Sequence, residues 1–169
     1  MVILVLISIV LAVAGIAVAT WKKKELPESI SAMAYELSPK MQYAWTAWMW
    51  GMTFPLLPVM LVKMPEPWGV VAFLWVICLM FCGAMPLADV NTRKWHYVLS
   101  ITGGLLSQVC VWLICPWWLL LWTVLVVLAG ILIIGYDKPW VQKIDTLLAG
   151  KGVLILEAIA MLTVWGCLL

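Results

Sequence analysis

The sequence predicts an all-α integral membrane protein: a six-helix transmembrane bundle with a short amphipathic helix on the cytoplasmic side after the first span. Three observations predict it. Apolar residues make up 66% of the 169-residue chain and charged residues only 11%, more apolar surface than a soluble domain of this size can bury. The apolar residues come in unbroken runs of about 17–20 positions, the length of a helical span, whereas barrel strands alternate over about 10. Lysine and arginine fall almost entirely on one side of a six-span path. Inside hydrocarbon every backbone N–H and C=O must be satisfied within the structure, and helices do this segment by segment.

The first span covers about residues 2–20. It has no basic stretch before it and is followed by Trp21, Lys22, Lys23 and Lys24. A secretory signal carries its charge ahead of the apolar core, so this run reads as a membrane helix anchored at its far end. The next segment, ELPESISAMAYELSPK, carries Pro27 and Glu28 at a helix start. Ile30, Met33, Ala34 and Leu37 follow at helical spacing, and Pro39 stops the run. It predicts a short amphipathic helix whose apolar face lies in the headgroup zone or caps the bundle.

Further spans are expected over about 43–62, 69–88, 98–114, 117–135 and 152–169, and they leave room for one domain, 1–169. Pro55 and Pro58 bend the second span and either open a cavity or only shape the bundle. From Val98 to Gly135 a single helix would measure about 57 Å, nearly twice the hydrocarbon thickness. Cys115-Pro116 is therefore read as a tight reversal between two antiparallel helices, with Trp112, Trp117 and Trp118 at interface depth.

Lys22, Lys23, Lys24, Lys40, Arg93, Lys94, Lys138, Lys143 and Lys151 lie on one side of this path, and only Lys63 on the other. The positive-inside rule puts the nine in the cytoplasm and both termini outside. Bare outer turns and cytoplasmic lysines suit a bacterial inner membrane. The net charge of +2 is too small to suggest nucleic acid as a partner, and none is expected. Membrane lipids are the expected partners, with a homo-oligomer or another membrane protein compatible with the same surface.

In so apolar a chain the polar residues at membrane depth are the informative ones. Glu157 lies roughly 8 Å into the last helix by helical rise. It either snorkels or pairs with Lys151, or belongs to a buried polar site with Lys151, His96 or Tyr35 as partners. Asp89 and His96 bracket the connection between the third and fourth spans. They are parts suited to acid–base work or metal ligation; alternatively Asp89 forms a polar turn and His96 anchors the interface beside Trp95 and Tyr97. Ser100, Gly104 and Gln108 form one stripe of the fourth span, with Gly103 and Ser107 on the next. Such a stripe lets helix backbones approach, and Gln108 can hydrogen-bond across the contact.

Cys78, Cys82, Cys110, Cys115 and Cys167 fall in or beside spans, where cysteine behaves as a small apolar residue. Cys78 and Cys82 share a helix face, but a metal site needs ligands that this stretch lacks. No cofactor or metal is expected from the residues themselves. Phosphate-binding glycine loops and the HExxH and GxSxG motifs are absent.

The segment SISAMAYEL, Ser29 to Leu37, and the later Asp89 with His96-Tyr97 resemble the CREST superfamily of multi-helix membrane hydrolases, which includes alkaline ceramidases. The resemblance implies a zinc-dependent amide hydrolase, with Ser29 or Ser31 matching the family's serine, Asp89 its aspartate and His96 one of its three histidines. The family's later histidine pair has no counterpart here, and six spans stand in place of seven. The serine-containing segment after the first span is also similar to that of Frag1-type six-helix proteins.

Three functional classes follow. The first is a non-catalytic membrane protein that binds a lipid or a membrane-protein partner through its bundle and cytoplasmic face. The second is a lipid-directed hydrolase in which Asp89, His96, Glu157 and Ser29 or Ser31 meet beneath the amphipathic segment. The third, a small transporter or channel, has only Gln108, Pro55 and Pro58 in its favour.

Overall fold

A computed structural model of the chain describes residues 1–36, 42–85, 90–134 and 152–169. Among these residues there is no strand, and the helices are α1 (Val2–Lys23), α2 (Gln42–Thr53), α3 (Leu56–Lys63), α4 (Gly69–Ala84), α5 (Val90–Ile114), α6 (Trp117–Ile134) and α7 (Gly152–Leu168). Three stretches, Val2–Lys23, Tyr43–Lys63 and Asn91–Ile114, are long and apolar enough to cross a membrane.

α1 turns a narrow face of small residues to the bundle: Val5, Ser8, Ala12 and Ala19 are buried, while Val10, Val13 and Val18 on the other side are exposed. Gly15 lies on the inner face, where a Cβ would run into the ring of Trp48. Trp48 lies close enough to donate its indole N–H to the Leu11 carbonyl at 2.7 Å. Lys22 and Lys23 occupy the last turn, where cations meet the negative end of the helix dipole.

Pro55 divides the second rod. Having no N–H, it breaks the helical ladder, and a turn at Phe54-Pro55 joins α2 to α3. The two halves still form one apolar stretch, with Met49, Met52, Leu56, Val59 and Met60 buried along it. α2 lies close against α4: a Cβ on Gly83 would come 2.8 Å from the Met49 Cβ, and Thr46 donates to the Gly83 carbonyl at 2.9 Å.

α5 and α6 are separate helices that pack against each other across the Cys115-Pro116 turn. The reversal is closed by the Trp118 N–H on the Cys115 carbonyl and the Leu119 N–H on the Pro116 carbonyl. α5 begins at Val90, well before the expected start of the fourth span at residue 98. Hydropathy marks where the apolar slab begins, and the helix continues beyond it through Asn91–Lys94 because nothing there breaks it.

The segment after α1 also differs from expectation. A 3-10 helix, Ser31–Glu36, stands where an amphipathic α-helix was predicted. Its apolar side is turned inward: Ile30 and Met33, three residues apart as one 3-10 turn requires, are 6% and 8% exposed. Of the two placements open to this segment, it caps the bundle.

The bundle has two distinct ends. At one, Trp165 of α7 reaches Ser8 of α1 and Lys63 donates to the Cys167 carbonyl at 3.2 Å, so the end of α7 lies beside Lys63. At the other end lie the end of α1, the 3-10 helix, the end of α4 and the starts of α5 and α7.

Candidate functional site

The site is built where the 3-10 segment crosses the second end of the bundle. His96 sits in the second turn of α5 and is 1% exposed, whereas its neighbours Trp95 and Tyr97 are 59% and 53% exposed. Each residue of a helix turns 100° from the last, so the flanking aromatics face outward while the imidazole faces the bundle. His96 is therefore not the interface anchor that its aromatic neighbours invite one to expect.

The imidazole is held at both nitrogens. Nδ1 lies 3.0 Å from the Cys82 carbonyl and 2.9 Å from the Met85 carbonyl, two acceptors at the end of α4, of which the Cys82 oxygen also takes the Met85 N–H at 3.4 Å. Carbonyls only accept, so Nδ1 carries the hydrogen and, in the neutral ring, Nε2 is the acceptor; the tautomer is assigned from these partners. Ser31 Oγ stands 3.1 Å from Nε2 and donates to it. The Cys82 sulfur packs 3.6 Å from both ring nitrogens.

Ser29 has a different task. Its Oγ accepts from the Ala32 N–H at 2.9 Å, capping the first turn of the 3-10 helix. The two serines that the sequence leaves as alternatives are thus separated: Ser29 shapes the turn, and Ser31 meets the histidine.

Glu157 approaches the same turn from α7. One carboxylate oxygen accepts from the Ile30 N–H at 2.6 Å, and the Ser31 N–H is its second backbone neighbour. The Leu154 N–H on the Glu28 carbonyl, at 3.1 Å, adds a second tie between α7 and this segment. Glu157 and His96 therefore flank residues 30–31, one holding the backbone and the other the side chain. Asp89, Lys151 and the side chain of Tyr35 lie outside the described residues.

Beneath the turn opens a cavity of about 140 Å³ between α1, α2, α3, α4, α5 and α7. Ser31, Glu157 and Ser100 line its upper part, while Met49, Met52, Leu56, Trp75, Leu79, Met161 and Val164 give it apolar walls. Trp165, eight residues beyond Glu157 on α7, lines it too, so it runs about 12 Å along that helix. Trp75, 3% exposed, has an indole N–H with no protein partner among the described residues.

The small residues of α5 divide between two tasks. Gly103 is the contact glycine: a Cβ there would come 2.8 Å from the Leu79 Cδ2 of α4. A Cβ on Gly104 would meet nothing within 4 Å, because that position opens onto the cavity. The expected close approach at Gly104 is thus found one residue earlier, 100° around the helix. Ser100 and Ser107 line the cavity. Ser107 donates to the Gly104 carbonyl at 2.6 Å, and Gln108 donates to Ser107 Oγ at 3.1 Å. Thr163 of α7 reaches Gln108 Oε1 at 3.3 Å, the cross-helix bond anticipated for that glutamine.

His96, Ser100, Gly103 and Ser107 follow one another at i, i+4, i+7 and i+11. Extending the small-residue stripe one turn towards the N-terminus would have put His96 on the inner face. The partnership of Ser31 with His96 has no comparable signal, since 65 residues separate them.

The zinc set implied by the CREST resemblance needs three histidines together with Asp89, which lies outside the described residues. The chain has a single histidine, both of its nitrogens have protein partners, and among the described residues no three His, Cys, Asp or Glu side chains converge as metal ligands. The chain matches no family model, no curated protein and no solved structure.

Proposed function

We propose that the chain crosses the bilayer six times, with the Ser31–His96–Glu157 end in the cytoplasm and both termini outside, and binds a single-chain amphiphile in the cavity beneath Ser31. The membrane reading is supported by aliphatic side chains exposed in mid-helix, among them Val13, Ile101, Leu105, Leu120 and Leu162. Such side chains are at home against lipid tails and costly against water. The charge split supports the orientation, with Lys22, Lys23, Arg93 and Lys94 at the site end and Lys63 at the other.

The cavity carries the binding reading. It carries Ser31, Glu157 and Ser100 at one end and mainly apolar side chains beyond, where the hydroxyls of Ser8, Thr53 and Ser107 already have protein partners, the chemistry of a headgroup followed by an alkyl chain. Headgroup-bearing molecules enter from the cytoplasmic face, where Ser31 and Glu157 meet them, and the chain lies between α5 and α7.

Native mass spectrometry of the protein extracted in mild detergent tests this. Wild type should carry about one lipid per chain. Gly104→Phe, which projects into the cavity from a position with free space, should lose it while remaining folded. A photoreactive fatty acid should cross-link to cavity residues such as Met161 and Trp165. Labelling confined to the outer residues Ile101 and Leu105, and unaffected by Gly104→Phe, would overturn the proposal.

A further inference from the structure

The geometry points to Ser31 as an acyl-accepting nucleophile, with His96 as its general base, acting on a carboxylic ester of a single-chain lipid whose tail occupies the cavity. This rests on the lipid-binding reading and adds a reaction to it.

Serine becomes a nucleophile when a base stands within hydrogen-bond reach and a third group fixes that base in the right tautomer and orientation. All three parts are present. Ser31 Oγ is 3.1 Å from Nε2, and the Cys82 and Met85 carbonyls hold Nδ1–H from the far side, the place a carboxylate takes in a triad. The imidazole is buried, so its lone pair is not spent on water. Ser31 lines the cavity, and a bound chain presents the carbonyl next to its headgroup at that serine. Glu157 is a positioning residue: by holding the Ile30 N–H, it fixes the turn from which Ser31 reaches the ring.

The steps balance with water as the second reactant. Ser31 Oγ bonds to the ester carbonyl carbon while its proton passes to Nε2. The carbon–oxygen bond to the alcohol breaks, and the Nε2 proton leaves with the alcohol. Water then attacks the acyl-serine, giving a proton to Nε2, and the Ser31 oxygen departs with that proton as the fatty acid is released. No metal takes part, and His96 keeps no free nitrogen for one.

A long-chain alkyl fluorophosphonate on the full-length protein in detergent tests the inference, with the modified peptide mapped and bound lipid measured in parallel. The expected adduct is on Ser31 and not on Ser29, and it is absent from Ser31→Ala. His96→Asn is the informative variant, because the asparagine amide can still donate to the Cys82 and Met85 carbonyls where Nδ1 does, but it offers no base at Nε2. Labelling should slow on the order of 100-fold in that variant, with the thermal midpoint close to wild type. His96→Gln, which places an amide near Nε2, should be equally slow and serves if the Asn variant does not fold. Bound lipid without an adduct would overturn the inference and leave the binding reading intact. An adduct whose rate ignores both His96 variants would overturn the assignment of the base. Neither lipid nor adduct on folded protein would overturn both.

Discussion

The backbone N–H of Ile30 donates to the Glu157 carboxylate at 2.6 Å across 127 residues of chain, and through this bond the last helix holds the turn that carries Ser31. Ionisable groups within an apolar bundle are costly unless hydrogen-bonded. The carboxylate finds backbone donors at the start of the 3-10 segment, the Ile30 and Ser31 N–H groups.

Glu157→Leu should therefore cost on the order of 1–3 kcal/mol, the penalty of leaving buried donors without an acceptor. Glu157→Gln keeps an acceptor and should cost less. Thermal unfolding in detergent compares them. If Leu stabilises the protein, the carboxylate contributes nothing to holding the turn.

The neighbouring glycines of α5 should respond in opposite ways. Gly103→Leu overlaps Leu79 of α4 and should destabilise by about 1–3 kcal/mol, the usual cost of overpacking. Gly104→Leu should leave stability within about 1 kcal/mol and instead reduce bound lipid. Leu105→Ile, at an exposed position, should alter neither. Melting curves and native mass spectra on the same preparations separate the two effects.

Gly15 and Trp48 should be energetically coupled. A methyl at Gly15 would strike the indole ring and pull its N–H from the Leu11 carbonyl. Gly15→Ala alone should cost about 1–3 kcal/mol. In a Trp48→Leu background, where the ring is gone, the same change should cost clearly less, a coupling of about 0.5–3 kcal/mol in a double-mutant cycle. Strict additivity would mean that the ring moves aside freely.

Membrane orientation is open to direct measurement. In intact cells an impermeant thiol reagent should label a single cysteine introduced at Glu66 and spare one at Asn91, which should react only after the cytoplasmic face is opened. The reverse pattern would refute the orientation drawn from the lysines.

What the sequence by itself determined is the all-helical class and the main breaks between helices, but not the 3-10 form of Ser31–Glu36 or the early start of α5. Apolar runs, a proline without an N–H at position 55 and a Cys-Pro reversal at 115–116 are local properties, and each acts through backbone hydrogen bonding within a few residues. The α5 stripe was legible as a helix contact for the same reason, as small residues at helical spacing, whereas Glu157 stood out as an ionisable residue at membrane depth without its direction, outward to the interface or inward to a buried site, being decided. Tertiary structure alone decided which polar groups meet. The choice of Ser31 over Ser29 depends on the phase of a 3-10 turn, that of Gly103 over Gly104 on a 100° rotation against α4, and the inward placement of His96 on a helix that continues past its apolar stretch. Hydropathy sees the slab a residue occupies, whereas these outcomes depend on the direction in which its side chain points once helices from distant parts of the chain have packed.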